Sequence, residues 1–174
     1  MEVNQFKPRL IIGLGNPDKE YEKTYHNVGF LAVDFLAANP EKFKIQNSKF
    51  KILKSEVYMN ESGDFVKKTV KQNNVKPGEI LIIHDDSDIK IGEYKFSFGR
   101  SSAGHKGVQS IIDSLKTKNF WRLRIGVGHE PTRTPRGLVR KKAGEIVLKK
   151  IPKTDMENLN KVFKKISENL TCYE

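Results

Sequence analysis

The chain has almost no cysteine and no long apolar stretch. Its single cysteine, Cys172, excludes an intrachain disulfide and a zinc site built on several cysteines. The longest apolar runs, such as 80–83, are far too short to cross a bilayer. The N-terminus reads Met-Glu-Val-Asn-Gln-Phe-Lys and lacks the apolar core of a signal peptide. We therefore expect a soluble, cytoplasmic protein whose 174 residues form one domain with a buried core.

Acidic residues are scarce compared with basic ones. The chain has 21 Asp and Glu against 32 Lys and Arg, a net charge of +11. Much of the excess lies in 133–165, where eleven basic and three acidic residues give +8. Such a cluster is either a solvated surface or a binding surface for a polyanion such as RNA. Few aromatic residues lie among the basic ones, which favours contacts to phosphates over stacking on bases.

The strongest local pattern is a strand followed by a turn and a helix. An apolar run that begins at Leu10 predicts a buried strand, which the turn signal Asn16-Pro17 ends. Ten residues after Asn16, the pair His26-Asn27 precedes apolar residues at helical spacing, so Asn27 is expected to open a helix. Asn16 then lies at a strand end and His26 at a helix start. Ligands of open α/β sheets bind at this edge.

Helical and strand patterns follow one another along the rest of the chain. Strands are predicted at 43–45, 50–53, 80–83, 94–98 and 121–127, with another ending in 57–63. Helices are predicted at 65–70, 108–115 and 154–170, the last with Thr154 opening a capping box. Loops are predicted at 99–107 and 129–142. Some strands are consecutive, so we expect an α/β fold with a mixed sheet covered by helices on both faces.

A second polar cluster, 84–88, comes after a predicted buried strand and should reach the same sheet edge. Carboxylates in that position bind magnesium in phosphatases and receiver domains, but Lys90 stands where the phosphatase pattern has Thr or Val. The loop 99–107 is not a P-loop, because the required Lys-Ser/Thr is out of register. Gly13 and Gly15 do not form a dinucleotide fingerprint, because its third glycine is missing.

The remaining chemistry is that of a histidine base. The four histidines lack zinc-ligand spacing, and neither a Gly-x-Ser-x-Gly elbow nor a well-placed cysteine offers a covalent nucleophile. A histidine general base, a carboxylate that orients it, asparagine donors and an attacking water remain. This combination predicts a hydrolase with a basic surface of a size that suits RNA.

Five sequence blocks carry a resemblance to a known family. They are Gly-Leu-Gly-Asn-Pro…Tyr…Thr-Tyr-His-Asn-Val-Gly-Phe (13–30), Tyr-Met-Asn-Glu-Ser-Gly (58–63), His-Asp-Asp-Ser-Asp-Ile-x-x-Gly (84–92), Ala-Gly-His-Lys-Gly-Val-Gln-Ser-Ile (103–111) and Phe-Trp-Arg-Leu-Arg-Ile-Gly-Val-Gly (120–128). In this order they resemble the bacterial peptidyl-tRNA hydrolase family over nearly the whole chain.

The resemblance implies a fold and an activity. The fold is a single-domain, three-layer α/β/α sandwich over 1–174 with a mixed, mostly parallel, twisted sheet. Within it, 129–153 forms a basic, lid-like segment and 154–170 the C-terminal helix. The activity is hydrolysis of the ester between a peptide, or an N-blocked amino acid, and the ribose of the tRNA 3′-end. The implied protein is a monomer that binds the acceptor arm and 3′-end of peptidyl-tRNA, without a metal, a cofactor or a membrane.

The same resemblance implies roles for individual residues. His26 is the expected general base, and Asp85 the carboxylate that orients its imidazole. The substrate and the tRNA 3′-end are expected to contact Asn16, Tyr21, Tyr58, Asn60 and Lys106. The tRNA backbone is expected to contact Arg124, Arg136, Arg140 and Lys141. Judged by residue type alone, Tyr21 and Tyr58 fit a core equally well, and Asn60 fits a turn.

Within the five blocks, three positions depart from the family's usual pattern. Tyr25 stands in place of an arginine, Asp18 in place of a glycine, and Lys106 in place of an asparagine that helps to position water and substrate. These differences keep a second function open, a catalytically weak RNA-binding paralogue of the same fold. The presence of both His26 and Asp85 favours the active enzyme.

Overall fold

The computed structural model describes residues 6–39, 50–129, 132–134, 137–139 and 143–170. The strands are β1 (Leu10–Gly13), β2 (Lys51–Lys54), β3 (Ile80–Lys90), β4 (Tyr94–Phe98), β5 (Trp121–Gly128), β6 (Thr132–Thr134) and β7 (Gly137–Val139). The helices are α1 (Val28–Ala38), α2 (Ser62–Gln72), α3 (Lys106–Leu115), α4 (Ala143–Ile146) and α5 (Lys153–Leu170). Short 3-10 turns lie at Lys19–Tyr21, Tyr25–Asn27, Met59–Glu61 and Pro77–Glu79.

The main sheet is mixed and mostly parallel. Its strand order is β2-β1-β3-β5-β4. β1 pairs in parallel with β2 and β3, β3 pairs in parallel with β5, and β4 runs antiparallel to β5 at one edge. β6 and β7 form a separate antiparallel ribbon. The predicted fold class is confirmed.

Each face of the sheet has its own apolar core. Successive strand residues point to opposite faces, so Ile11 and Leu81 lie in one core while Ile12 and Ile82 lie in the other. The first core includes buried residues of α1 and α5, and the second includes buried residues of α2 and α3. The helices therefore cover both faces, and the three-layer arrangement is confirmed.

A glycine allows α1 to begin directly against the sheet. A Cβ atom on Gly29 would lie 2.4 Å from the carbonyl oxygens of both Leu14 and Ile83. One of these backbone oxygens directly follows β1 and the other lies inside β3, so both have little freedom to move. The close approach brings the turn Tyr25–Asn27, and with it His26, to the carboxyl end of β1.

Two strand predictions are wrong because they depend on which distant residues pair with the segment. β3 does not end before the cluster 84–88 but continues through it, because β5 extends beyond the end of β1 and pairs with Asp85 and Asp86. No strand ends in 57–63; Met59–Glu61 is a 3-10 turn, and the N–H of Met59 donates to the Asn16 side chain instead of to a neighbouring strand.

Other boundaries also differ from the predictions. α5 begins at Lys153, so Thr154 lies inside its first turn and does not precede the helix. The predicted loop 129–142 contains the ribbon of β6 and β7. The predicted strand 43–45 lies outside the described residues. Among the helices of the described part, none combines the length and apolar character needed to span a bilayer.

Candidate active site

Two asparagines join the turn after β1 to the turn before α1. Asn27 Oδ1 accepts the N–H of Asn16 at 2.9 Å, and Asn27 Nδ2 donates to the carbonyl of Asn16 at 2.9 Å. Asn16 Oδ1 accepts the N–H of Met59, also at 2.9 Å. Both asparagines are buried. These bonds orient the Asn16 carboxamide and leave its NH₂ group as the donor that it offers to the cavity described below.

His26 and Asp85 are in direct contact. His26 Nδ1 lies 2.8 Å from Asp85 Oδ1, and the two side chains are 11% and 3% exposed. A carboxylate oxygen accepts hydrogen bonds, so Nδ1 carries the proton and Nε2 keeps its lone pair in the neutral imidazole. The structure thus brings together the two residues predicted to be catalytic, in the geometry of a base and its orienting carboxylate.

A second histidine, which sequence reasoning missed, binds the same carboxylate oxygen. His105 Nε2 lies 3.0 Å from Asp85 Oδ1, and His105 Nδ1 accepts the N–H of Val108 at 3.3 Å at the start of α3. Since Nδ1 is an acceptor, Nε2 must carry the proton that is donated to Asp85. The one feature of the sequence that could have marked His105 as a site residue is its position in the block 103–111.

The carboxylate of Asp85 is ionised although it is buried. Burial alone would raise the pKa of Asp85, but the N–H donors of His105 and His26, and the positive charge that either ring gains on protonation, hold that pKa well below its ordinary value. The neighbouring His84 is fully buried, and its Nδ1 donates to the Asp85 carbonyl at 2.7 Å. Burial, followed by the electrostatic effect of the neighbouring His105, holds the pKa of His84 well below its ordinary value, so this ring is neutral at pH 7.

The same cluster has the spacing of a metal site but not its hydrogen bonds. One ligand atom each from His26, Asp85 and His105 lie within 4.8 Å of one another. A metal-bound imidazole normally donates its other N–H to an acceptor. His105 Nδ1 instead faces a donor, the N–H of Val108. Metal binding at Nε2 of His105 would put the ring's proton on Nδ1, where it would face the N–H of Val108. The cluster is therefore better suited to proton transfer than to holding a cation.

A cavity of about 690 Å³ opens beside His26 and Asp85. Its lining contains all five residues predicted to contact the substrate or the tRNA 3′-end: Asn16, Tyr21, Tyr58, Asn60 and Lys106. Gly144, Val147 and Leu148, which sequence reasoning missed, form another part of the wall. They come from the segment predicted to be lid-like, and nothing in their residue types marked them.

Comparison with known proteins gives the same family as the sequence blocks. The family described as peptidyl-tRNA hydrolase matches residues 10–173. The chain belongs to the peptidyl-tRNA hydrolase family. A peptidyl-tRNA hydrolase of Thermodesulfovibrio yellowstonii is 46% identical over 136 residues, covering 70% of this chain and 73% of the relative. One of Clostridium tetani is 38% identical over 172 residues, covering 91% and 87%.

Solved structures agree with this assignment. The crystal structure of peptidyl-tRNA hydrolase from Acinetobacter baumannii superimposes with a TM-score of 0.80 at 28% identity, covering 99% of this chain and 90% of that one. The family resemblance noted from the sequence is therefore confirmed, and the single α/β fold agrees with that of the solved member.

The two tyrosines of the cavity are not core residues. Tyr58 is 42% exposed, and its hydroxyl donates to the carboxylate of Asp18, the residue that replaces the family's usual glycine. That hydrogen bond and the charge of Asp18 raise the pKa of Tyr58. Tyr21 is half-buried, and a hydrogen bond with Glu20 raises its pKa. Both hydroxyls therefore remain protonated at pH 7, and both side chains line the cavity.

Arg124 lies outside the cavity lining. Its Nε donates to Asp86 Oδ2 at 2.7 Å, and its side chain is 24% exposed. Asp86 itself lines the cavity, so Arg124 lies behind that wall, opposite Lys95 of the edge strand β4 in the pairing register. The other three residues predicted to contact the tRNA backbone, Arg136, Arg140 and Lys141, lie outside the described residues.

Proposed function

We propose that this protein hydrolyses the ester between a peptide, or an N-blocked amino acid, and the ribose of the tRNA 3′-end. The observation that carries the proposal is the His26–Asp85 pair at the wall of a cavity that also holds Asn16 and Asn60. Membership of the peptidyl-tRNA hydrolase family supports the substrate class. It does not favour the alternative of a catalytically weak RNA-binding paralogue.

The geometry supports a direct attack by water. Nε2 of His26 takes a proton from water as the water oxygen bonds to the ester carbonyl carbon. The resulting imidazolium is stabilised by the ionised Asp85 at its Nδ1 side. The tetrahedral intermediate then breaks its bond to the ribose oxygen, which leaves with the proton carried by His26. The products are a tRNA with a free 3′-end and a peptide carboxylic acid, which loses its proton to solvent at pH 7.

The asparagines act on the peptide part of the substrate. The NH₂ group of Asn16 is oriented by Met59 and Asn27, so it donates to the substrate without having to reorganise. Asn60 is exposed in the turn Met59–Glu61 and offers both a donor and an acceptor to the peptide backbone. Tyr21 and Tyr58 line the mouth of the cavity beside the tRNA 3′-end.

Lys106 contacts the tRNA 3′-end in this proposal. It is the first residue of α3, it is exposed, and it lines the cavity. No ion pair joins Lys106 to another side chain within 6–39, 50–129 or 143–170. An ammonium group at a helix N-terminus suits the phosphate of a terminal nucleotide, whereas the family's asparagine offers an uncharged amide.

Hydrolysis of an N-acetyl-aminoacyl-tRNA tests the proposal directly. The wild-type protein should release the N-acetyl-amino acid, and His26→Asn should abolish release while tRNA binding persists. Retention of turnover in the presence of EDTA would support the prediction that no metal takes part. Cleavage by His26→Asn at the wild-type rate would contradict the assignment of the base, and tRNA binding without cleavage by the wild type would favour the paralogue.

The basic segment 133–165 is proposed to bind tRNA phosphates. The support is the net charge of +8 over 133–165 and the partly exposed Arg124. Affinity for tRNA should then fall steeply as salt rises, because counterions are released on binding. Reversing Arg136, Arg140 and Lys141 to Glu should raise KM far more than it lowers kcat.

The matched control for that reversal lies on another surface. It changes Lys67, Lys68 and Lys71 to Glu, three exposed residues of α2, and so alters net charge equally. Equal effects of the two triple variants would show that only net charge matters. A salt-independent affinity would show that the basic segment is merely a solvated surface. The monomeric state and cytoplasmic location remain predictions.

A further inference from the structure

One carboxylate outside the cavity joins three separate parts of the chain. Asp155 Oδ2 accepts hydrogen bonds from the hydroxyl of Tyr25 and from Nε2 of His129, the latter at 2.7 Å. Tyr25 immediately precedes His26, His129 immediately follows β5, and Asp155 lies in the first turn of α5. Tyr25 is only 4% exposed and the Asp155 side chain 13%, so the bond between them is largely shielded from water, whereas the His129 side chain is 42% exposed.

The rings of the cluster also pack together. Tyr25 and His129 make an edge-to-face contact with their centroids 5.6 Å apart. Burial, followed by the hydrogen bond to Asp155 and its charge, raises the pKa of Tyr25, so its hydroxyl remains a donor at all physiological pH values. None of the three residues lines the cavity. Any effect on catalysis must therefore pass through the segments that they hold.

Those segments are the turn of His26 and part of the cavity wall. The backbone N–H of His26 donates to the carbonyl of Val147 at 2.7 Å, and that of Tyr25 donates to the carbonyl of Lys149 at 3.2 Å. The N–H of Ile151 in turn donates to the carbonyl of Lys23 at 2.8 Å. Val147 lines the cavity, so these bonds fasten the wall directly to the residue proposed as the base.

We infer that Tyr25, His129 and Asp155 form a positioning cluster that holds the turn of His26 against the cavity wall at Val147 and Leu148. Asp155 lies in the first turn of the helix that follows this wall, and its bond to Tyr25 closes the wall onto the turn. His129 ties the same carboxylate to the end of β5. The three residues act on the reaction through His26, so the inference rests on the proposed function.

The expected size of the effect follows from the chemistry of the bonds. A hydrogen bond to a charged acceptor is equivalent to a factor of about 10 to 100 in an equilibrium constant. Loss of the Tyr25 hydroxyl should therefore let the wall separate from the turn about tenfold more often. The proton transfer needs His26 in its fixed place, so kcat should fall, by about tenfold at most and by less where the closed arrangement still predominates, with a smaller change in KM.

The test combines hydrogen exchange with kinetics in the full chain. Tyr25→Phe removes one hydroxyl and keeps the buried ring. We expect amide exchange in 23–28 and 147–151 to accelerate about tenfold, while exchange in β1 and β3 stays unchanged. Asp155→Asn removes the negative charge of the shared acceptor and so weakens the same bond, and it should accelerate exchange in the same segments. Combining it with Tyr25→Phe should cause less loss than the sum of the two single effects, because both variants act on that bond.

Matched controls separate positioning from general damage. Tyr94→Phe removes a tyrosine hydroxyl that bonds Asn169 near the other end of α5, and Glu157→Gln removes an exposed carboxylate from the same helix. Both should leave exchange in 147–151 and kcat unchanged. His129→Ala, at a residue 42% exposed, provides a second probe should Tyr25→Phe not fold.

Two results would overturn the inference. One is unchanged exchange in 147–151 with unchanged kcat in Tyr25→Phe and His129→Ala. The other is faster exchange spread evenly over the whole chain, which would make the cluster an ordinary stabilising contact. The exchange measurement needs no substrate, so an inactive wild-type protein would contradict the proposed function without deciding the role of the cluster.

Discussion

Replacing Asp85 by Asn tests the proposed catalytic pair most directly. The substitution keeps the shape of the side chain and an oxygen that accepts hydrogen bonds, but it removes the negative charge. In the structure that charge is 3% exposed and meets N–H groups of His26 at 2.8 Å and His105 at 3.0 Å. The variant therefore isolates the electrostatic support of the imidazolium from the orientation of the ring.

The structure sets the size of the effect. Two unit charges about 4 Å apart interact by about 4 kcal/mol at an effective dielectric constant of 20, which sets the upper end at about 10³-fold in rate. General-base support contributes at least about 10²-fold, which sets the lower end. We expect kcat for Asp85→Asn to fall by about 10²- to 10³-fold. KM should change little, because the bonds of Oδ1 go to imidazoles and not to substrate.

Single-turnover cleavage of N-acetyl-aminoacyl-tRNA between pH 5.5 and 8.5 measures both parts of the prediction. The acidic limb of the rate profile should move to lower pH in Asp85→Asn, because the imidazolium has lost its counter-charge. Asp113→Asn makes the same chemical change at an exposed position on α3 and should leave the profile unchanged. A loss smaller than fivefold, with an unmoved acidic limb, would refute the proposed role of Asp85.

Three further predictions test other parts of the structure. Lys106→Asn should weaken substrate binding and move the acidic limb of the kcat/KM profile to higher pH, because a cation near the proposed base is lost. Superimposable profiles would place Lys106 outside the site. An inactive wild-type protein that becomes active with Asn at this position would favour the paralogue. Gly29→Ala should lower the free energy of unfolding in urea by about 1–3 kcal/mol, because its Cβ would lie 2.4 Å from two carbonyl oxygens. Gly78→Ala, with nothing within 4 Å, should have little effect, and equal values for the two would contradict the packing argument. The lowered pKa of His84 keeps its ring neutral in the folded chain, whereas in the unfolded chain the ring gains a proton below about pH 6.5. The free energy of unfolding therefore decreases as the pH falls below about 6.5, by up to about 1.4 kcal/mol per pH unit. His84→Gln should flatten that dependence between pH 6.5 and 5 in urea titrations, and parallel curves would contradict it.

Local patterns predicted the elements whose form depends on their own residues. The alternation of Trp121 to Val127 and the helical spacing from Val108 to Leu115 each produced the predicted element, β5 and α3. Elements that depend on a distant partner were predicted less well. β3 continues through Asp85 because β5 lies beside it, and 57–63 forms no strand because Asn16 accepts the N–H of Met59.

The candidate site divides in the same way. The sequence blocks identified His26, Asp85 and the five residues of the cavity, because these residues lie in motifs that can be compared with a family. Nothing local marks the bond from His105 to Asp85, which are 20 residues apart, or that from Tyr25 to Asp155, which are 130 apart. Such contacts depend on strand order and on where α5 packs.

The sequence by itself therefore determined the fold class, the family and the residues proposed for the chemistry. Periodicity sets which side chains are buried, and the motifs single out His26, Asp85 and the asparagines as the residues proposed for the site. Only the tertiary structure decided that one oxygen of Asp85 accepts from two histidines and that one oxygen of Asp155 accepts from both Tyr25 and His129. Each of those arrangements joins atoms through space across several elements, and no pattern along the chain records that distance.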